Sequence, residues 1–117
     1  MEFYDALKQY IPRDAQEETD RAVMLDCLER YADAYDRSNL LFHATASAWI
    51  TNESRDRVLM IYHNIYDSWA WTGGHADGER DLLKVALKEA TEETGLQSVR
   101  PASDLLLSIE TLTVNPH

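Results

Sequence analysis

One helical segment, residues 82–94, limits more than any other feature what this chain can fold into. It reads Leu82-Leu83-Lys84-Val85-Ala86-Leu87-Lys88-Glu89-Ala90-Thr91-Glu92-Glu93-Thr94, with Gly73-Gly74 before it and Gly95-Leu96 directly after. Gly95 stands where a left-handed C-terminal cap belongs. Glu89, Glu92 and Glu93 are spaced i, i+3 and i+4, so three carboxylates share one side of the helix, about 5–6 Å apart at their β-carbons. They crowd its C-terminal end, where the helix dipole already disfavours negative charge. Lys88 offsets part of this by pairing with Glu92 at i+4. A hard divalent cation with oxygen ligands would offset more. The plainer alternative is a solvated helix face with no chemistry.

The rest of the chain bounds the context. Its 117 residues fit one domain. With 21 acidic and 11 basic side chains the net charge is -10. A nucleic-acid-coating surface is therefore excluded, because phosphates would be repelled. A phosphate substrate held through divalent cations is not excluded. The lone Cys27 rules out an intramolecular disulfide and a Cys-only metal cluster, and its place on an apolar stripe makes it a small core residue. No apolar run is long enough to span a membrane and no signal-peptide core follows Met1, so a cytoplasmic protein is expected.

Residues 3–10 read as a short helix stopped by Pro12. Asp14 offers an N-cap with Glu17 three residues on, as in a capping box. Val23, Met24, Cys27, Leu28, Tyr31, Ala34 and Tyr35 then form one stripe on a helix of about five turns, which Arg37-Ser38-Asn39 stops. Residues 41–50 change period. Ala44, Ala46, Ala48 and Ile50 alternate with His43, Thr45, Ser47 and Trp49, as on a half-buried strand. A turn over 51–56 leads to a second strand over 58–62. Residues 69–71 are extended and lead into a glycine loop, and 105–114 read as a last strand. Helices and strands in this order give a mixed α/β (α+β) pattern.

The segment from Gly74 to Leu96 resembles the signature of the Nudix hydrolases, Gly-x5-Glu-x7-Arg-Glu-U-x-Glu-Glu-x-Gly-U with U aliphatic. Gly74, Glu89, Ala90, Glu92, Glu93, Gly95 and Leu96 fall on the pattern. Trp69-Ala70-Trp71-Thr72-Gly73-Gly74 is similar to the strand and turn that often precede it. Two positions depart. The first glutamate of the pattern falls on Arg80, and either Glu79 or Asp81 could supply that carboxylate. The family arginine is Lys88, which keeps the charge but loses the planar fork.

The resemblance implies a Nudix-like α/β/α sandwich with a mixed sheet over 40–117, preceded by a helical extension over 1–39 that packs on the domain. It also implies a domain without its C-terminal third. An uncovered sheet face and edge would then favour a homodimer, with strand exchange one route. The implied activity is divalent-metal-dependent hydrolysis of a nucleoside diphosphate linked to another moiety, with Mg2+ or Mn2+. Glu89, Glu92 and Glu93 would be metal ligands and catalytic groups, and Gly74 would bring a backbone carbonyl to the metal. Lys88 and Glu79 would support them. His75 would touch a substrate phosphate, or be a loop histidine without a role. His43 and His63 are expected to pack or face solvent. Trp49, Trp69 and Trp71 could stack a base, with Trp71 expected in the core. Two alternatives stand beside this: a non-catalytic Nudix-like module that binds a nucleotide or a protein, and a dimerising interaction fragment.

Overall fold

Capping chemistry sets the helix boundaries in the computed structural model, which describes residues 1–64, 67–103 and 105–113. Helix α1 spans Phe3–Gln9 and α2 spans Ala15–Arg30. Asp14 caps α2 by accepting from Glu17 N at 2.8 Å. The Glu17 carboxylate turns back on Arg13 N at 2.9 Å, one residue earlier than a capping box requires. Arg21, from the polar side of α2, donates to two carbonyls at the end of α1: Leu7 O, which also accepts from Tyr10 N, and Lys8 O. Helix α2 is shorter than its apolar stripe. It ends at Arg30 with Tyr31 as C-cap, and Ala34 and Tyr35 reach the core from turns instead.

The β region is a chain of short antiparallel ladders. Its strands are β1 (Thr45–Ala48), β2 (Ile50–Thr51), β3 (Val58–Leu59), β4 (Ile61–His63), β5 (Ser68–Ala70) and β6 (Thr72–His75). Strand β1 pairs with β6, β2 with β3, and β4 with β5. In the first ladder Thr45 faces His75, Ala46 faces Gly74, Ser47 faces Gly73 and Ala48 faces Thr72. The expected alternation holds: Ala46 and Ala48 are half-buried, while Thr45, Ser47 and Trp49 are exposed. The glycine pair and His75, expected in a loop, are strand residues, because β1 supplies a full set of backbone partners for them. The loop begins at Ala76.

Helix α3 (Leu82–Thr94) packs across β1 and β6. Asp81 caps its start by accepting from Leu83 N at 3.1 Å. Gly95, with φ 75°, closes its end and donates to Thr91 O at 2.9 Å. Leu82, Val85, Ala86 and Ala90 form its buried face. One apolar cluster joins Phe3, Leu7 and Met24 of the first two helices to Ala44, Ala76, Leu82, Val85 and Ile109.

Two expectations fail here. Residues 105–113 form no strand. Val114, the last residue of the expected strand, lies outside the described residues. A strand needs a partner edge, and this segment is bound to α2 by side chains instead. Ile109 N donates to Glu17 Oε2 at 3.2 Å, and Thr111 Oγ1 donates to Asp20 Oδ1 at 2.7 Å. Glu17 and Asp20 are both buried. Trp71 is not core either. It is 44% exposed and stacks on Trp49, itself 54% exposed, with ring centroids 5.3 Å apart. Trp49 and Trp71 follow and precede the paired residues Ala48 and Thr72, whose side chains take the inward face. Trp69, 67% exposed, meets Tyr62 edge-on across the β4–β5 ladder.

Candidate active site

The α3 glutamates meet β6 at its glycines. Glu89 is half-buried and lies directly over Gly74. A β-carbon at Gly74 would stand 2.7 Å from Glu89 Oε1 and 2.8 Å from its Cγ, closer than real contacts allow. The absent side chain is the space that the carboxylate uses. One turn further on, Glu93 Oε1 accepts from Gly73 N at 2.9 Å. Ala86 and Ala90 lie on the buried face of the same helix, and such small side chains let it approach the sheet closely.

Glu92 behaves differently. It is exposed, and its nearest cation is Lys88 Nζ at 4.0 Å. Both partners are well solvated, so the pair contributes little. Lys88 thus reaches Glu92 and not Glu89. The last turn of α3 carries no basic residue, so its carboxylates and the helix dipole add.

Next to Glu89 is an open hollow of about 260 Å3. Its walls are His75, Asp77 and Glu79 on one side and Lys84, Lys88 and Glu89 on the other, with Ala76 and Val85 also lining it. Glu79 Oε2 accepts from Asp81 N at 3.1 Å. Of the two candidates for the missing carboxylate of the signature, Glu79 therefore lines the hollow and Asp81 caps the helix. Arg80 turns away, with its guanidinium 5.1 Å over the Tyr35 ring. The His75 ring centroid is 5.2 Å from that of His43, and its buried Nδ1 has no hydrogen-bond partner among the described residues. Burial, then the nearby Arg37 charge, pushes the His75 pKa below its ordinary value, so the ring is neutral at pH 7. His43 Nδ1 lies 2.9 Å from Asn39 O, which places the hydrogen on that nitrogen.

Sequence reasoning missed one bidentate contact. Arg37 Nε donates to Asp77 Oδ1 at 2.8 Å and its terminal nitrogen to Asp77 Oδ2 at 2.6 Å. This hydrogen-bonded pair holds the Asp77 carboxyl below its usual range. The partners are 40 residues apart, and nothing local in the sequence links a helix stop to a glycine loop.

Divalent cations are the general requirement of the Nudix enzymes that the signature resembles. Among the described residues, no three His, Cys, Asp or Glu side chains converge closely enough to hold an ion in their present rotamers. The donor chemistry fits one nonetheless. Glu89, Glu92 and Glu93 offer only oxygen, as a hard cation requires, and the bare Gly74 leaves Glu89 the room to serve. Also among the described residues, no helix is long and apolar enough to cross a membrane.

Comparison with known proteins agrees with this geometry. No curated relative matches the chain. The family model of the NUDIX domain matches residues 41–115, well over half of the sequence and all of β1–β6 and α3. With its signature helix seated on the glycines of β6, this chain belongs to the Nudix family.

Proposed function

We propose that this chain is a divalent-metal-dependent hydrolase of a nucleoside diphosphate linked to another moiety. The observation that carries the reading is the seating of Glu89 in the space left by Gly74, with Glu93 tied to Gly73 N beside it. Two carboxylates are thereby held at one edge of β6, at the negative end of a helix dipole. A Mg2+ or Mn2+ ion bound there would neutralise the diphosphate and lower the pKa of a water. Glu89 and Glu93 would hold it, with the Gly74 carbonyl as a further oxygen donor. Glu92, which has no backbone partner among the described residues, would take the proton of the attacking water. Neutral His75 can donate or accept one hydrogen bond to a substrate oxygen at the mouth of the hollow.

The test is a panel of nucleoside diphosphate derivatives with Mg2+, Mn2+ or EDTA, with products separated by chromatography. We expect cleavage to two phosphate esters, dependent on the cation and lost in Glu92→Gln, while the melting temperature stays within a few degrees of wild type. Cation-independent cleavage, or full activity in that variant, would sink the reading. A second reading, a binding module without turnover, is favoured by one observation: Glu93 is engaged by Gly73 N and Glu92 by Lys88, which leaves the carboxylates apart. Tight nucleotide binding with no cleavage of any panel member would support it.

A further inference from the structure

The loop that walls the hollow is held from outside by the first 39 residues. Gly78 N donates to Tyr35 O at 2.9 Å, and Phe3 N donates to Arg80 O at 2.8 Å. These backbone bonds, together with Arg80 over the Tyr35 ring, fix the loop. The Arg37–Asp77 pair stands apart from them. Its side chains are 58% and 54% exposed, so breaking it costs little. Yet its geometry is specific: a planar fork grips both oxygens of one carboxylate at the wall of the hollow. A fork that fits a carboxylate fits a phosphoryl group equally well.

The opposite wall carries matching charge. Lys84 and Lys88 lie one helical turn apart on α3 and both line the hollow. Lys84 makes no ion pair among the described residues, and Lys88 has only its 4.0 Å contact with Glu92. The chain as a whole is at -10. Lys84 and Lys88 line this hollow with Asp77, Glu79 and Glu89, and Arg37, outside the lining, meets it through Asp77, so that three cations balance three anions. Any cation held by Glu89 would tip that balance to positive.

We propose that the hollow is an anion subsite for a phosphoryl group, bound by Arg37 from the helical extension and by Lys84 and Lys88 from α3. Asp77 occupies the Arg37 fork as an internal stand-in until the external anion displaces it. That the anion is a phosphate of the substrate rests on the hydrolase reading above; the exchange itself does not. The arrangement would make residues 31–39 part of the binding site and not only packing.

Asp77 allows a test whose sign is decisive. Its φ is 49°, in the left-handed region, which asparagine tolerates at least as well as aspartate. Asp77→Asn therefore removes the competing charge and keeps the loop. The probe is inorganic pyrophosphate, titrated calorimetrically in EDTA and again with Mg2+. We expect Asp77→Asn to bind about tenfold more tightly than wild type, and Arg37→Gln about tenfold more weakly, as for one charge-assisted bidentate contact. Lys84→Gln should weaken binding a few fold. Should Arg37→Gln fail to fold, Arg37→Lys keeps the charge without the fork and should fall between wild type and no binding. If Asp77→Asn binds no more tightly than wild type, the pair only braces the loop and the proposal is overturned. Tighter pyrophosphate binding by Asp77→Asn, in a chain that cleaves no diphosphate, would end the hydrolase reading and leave the subsite standing.

Discussion

Gly74→Ala separates packing from chemistry at the centre of the site. The added β-carbon would meet Glu89 Oε1 at 2.7 Å and Glu89 Cδ closer still, and ordinary contact starts at 3.4 Å, so the carboxylate must retreat by roughly 1 Å. Glu89 is half-buried at the end of a flexible side chain, so it can retreat without moving α3. Gly74 is not among the residues with positive φ, so alanine fits the backbone. Its lower unfolded-state entropy should contribute about 0.4–1 kcal/mol of stability. The net change in folding free energy should therefore lie within about 1 kcal/mol, a shift of roughly 4 °C or less in a domain of this size. The chemistry should respond far more. A displacement approaching 1 Å in a positioning group can cost on the order of 100-fold in rate. We expect Mg2+-dependent turnover to drop at least tenfold at nearly unchanged melting temperature. The double variant with Glu89→Gln should be no worse than Glu89→Gln alone, because the glycine acts only through that carboxylate. Melting curves with and without Mg2+, together with initial rates, read all of this. A Gly74→Ala protein that melts far below wild type yet keeps its cation response would refute the reasoning, since the glycine would then serve the sheet and not the glutamate.

Further predictions concern the frame. Glu17 is held at a pKa of about 2, against an ordinary 4.5, chiefly by the backbone N–H of Arg13, with Tyr10 and Ile109 also donating. A depressed pKa stabilises the fold above pH 4.5, and that stabilisation is lost as pH falls from 4.5 towards 2. Glu17→Gln should flatten acid unfolding in that window when denaturant midpoints are followed against pH. Asp81→Ala removes the N-cap of α3 and should cost about 1 kcal/mol, read as a lower urea midpoint at unchanged slope. Lys88→Met should change stability by less than about 0.5 kcal/mol, because its pair with Glu92 is long and exposed. A larger loss in urea denaturation would mean that Lys88 supports more of the site than Glu92.

The sequence made the local features legible and hid the non-local ones. Helix α3 could be read to its C-terminal end, because Gly95 marks it chemically and Leu82, Val85, Ala86 and Ala90 keep its period, whereas the cap at Asp81 emerged only from the structure. The alternation of 44–50 located β1 and its inward face. The glycine pair was legible as a close approach but not as a strand, because only the β1 partner, some 27 residues earlier, makes it one. The failed strand at 105–113 has the same cause in reverse. Its apolar residues promise a sheet, but Glu17 and Asp20 take its backbone and side-chain donors first. Glu17 reads as a capping-box residue and Asp20 as an ordinary polar residue of an amphipathic helix, and burial of a carboxylate leaves no mark on periodicity. Trp71 carries the hydrophobicity of a core residue but sits on the outward side of its ladder, which register alone decides. At the candidate site, the family signature pointed to Glu89, Glu92, Glu93 and Gly74. Arg37 and Lys84 carry no motif, and folding alone brings Lys84 to the hollow and Arg37 to Asp77 at its wall.

The central claim is that the glutamates of α3, seated on Gly73 and Gly74, bind a divalent cation. Electron paramagnetic resonance of Mn2+ titrated into the 117-residue chain tests it without a substrate. We expect at least one bound ion per chain in wild type, and affinity at least tenfold weaker in Glu89→Gln and in Glu93→Gln at unchanged helix content. Mn2+ that stays free in wild type, or binds equally well in both variants, would contradict the account.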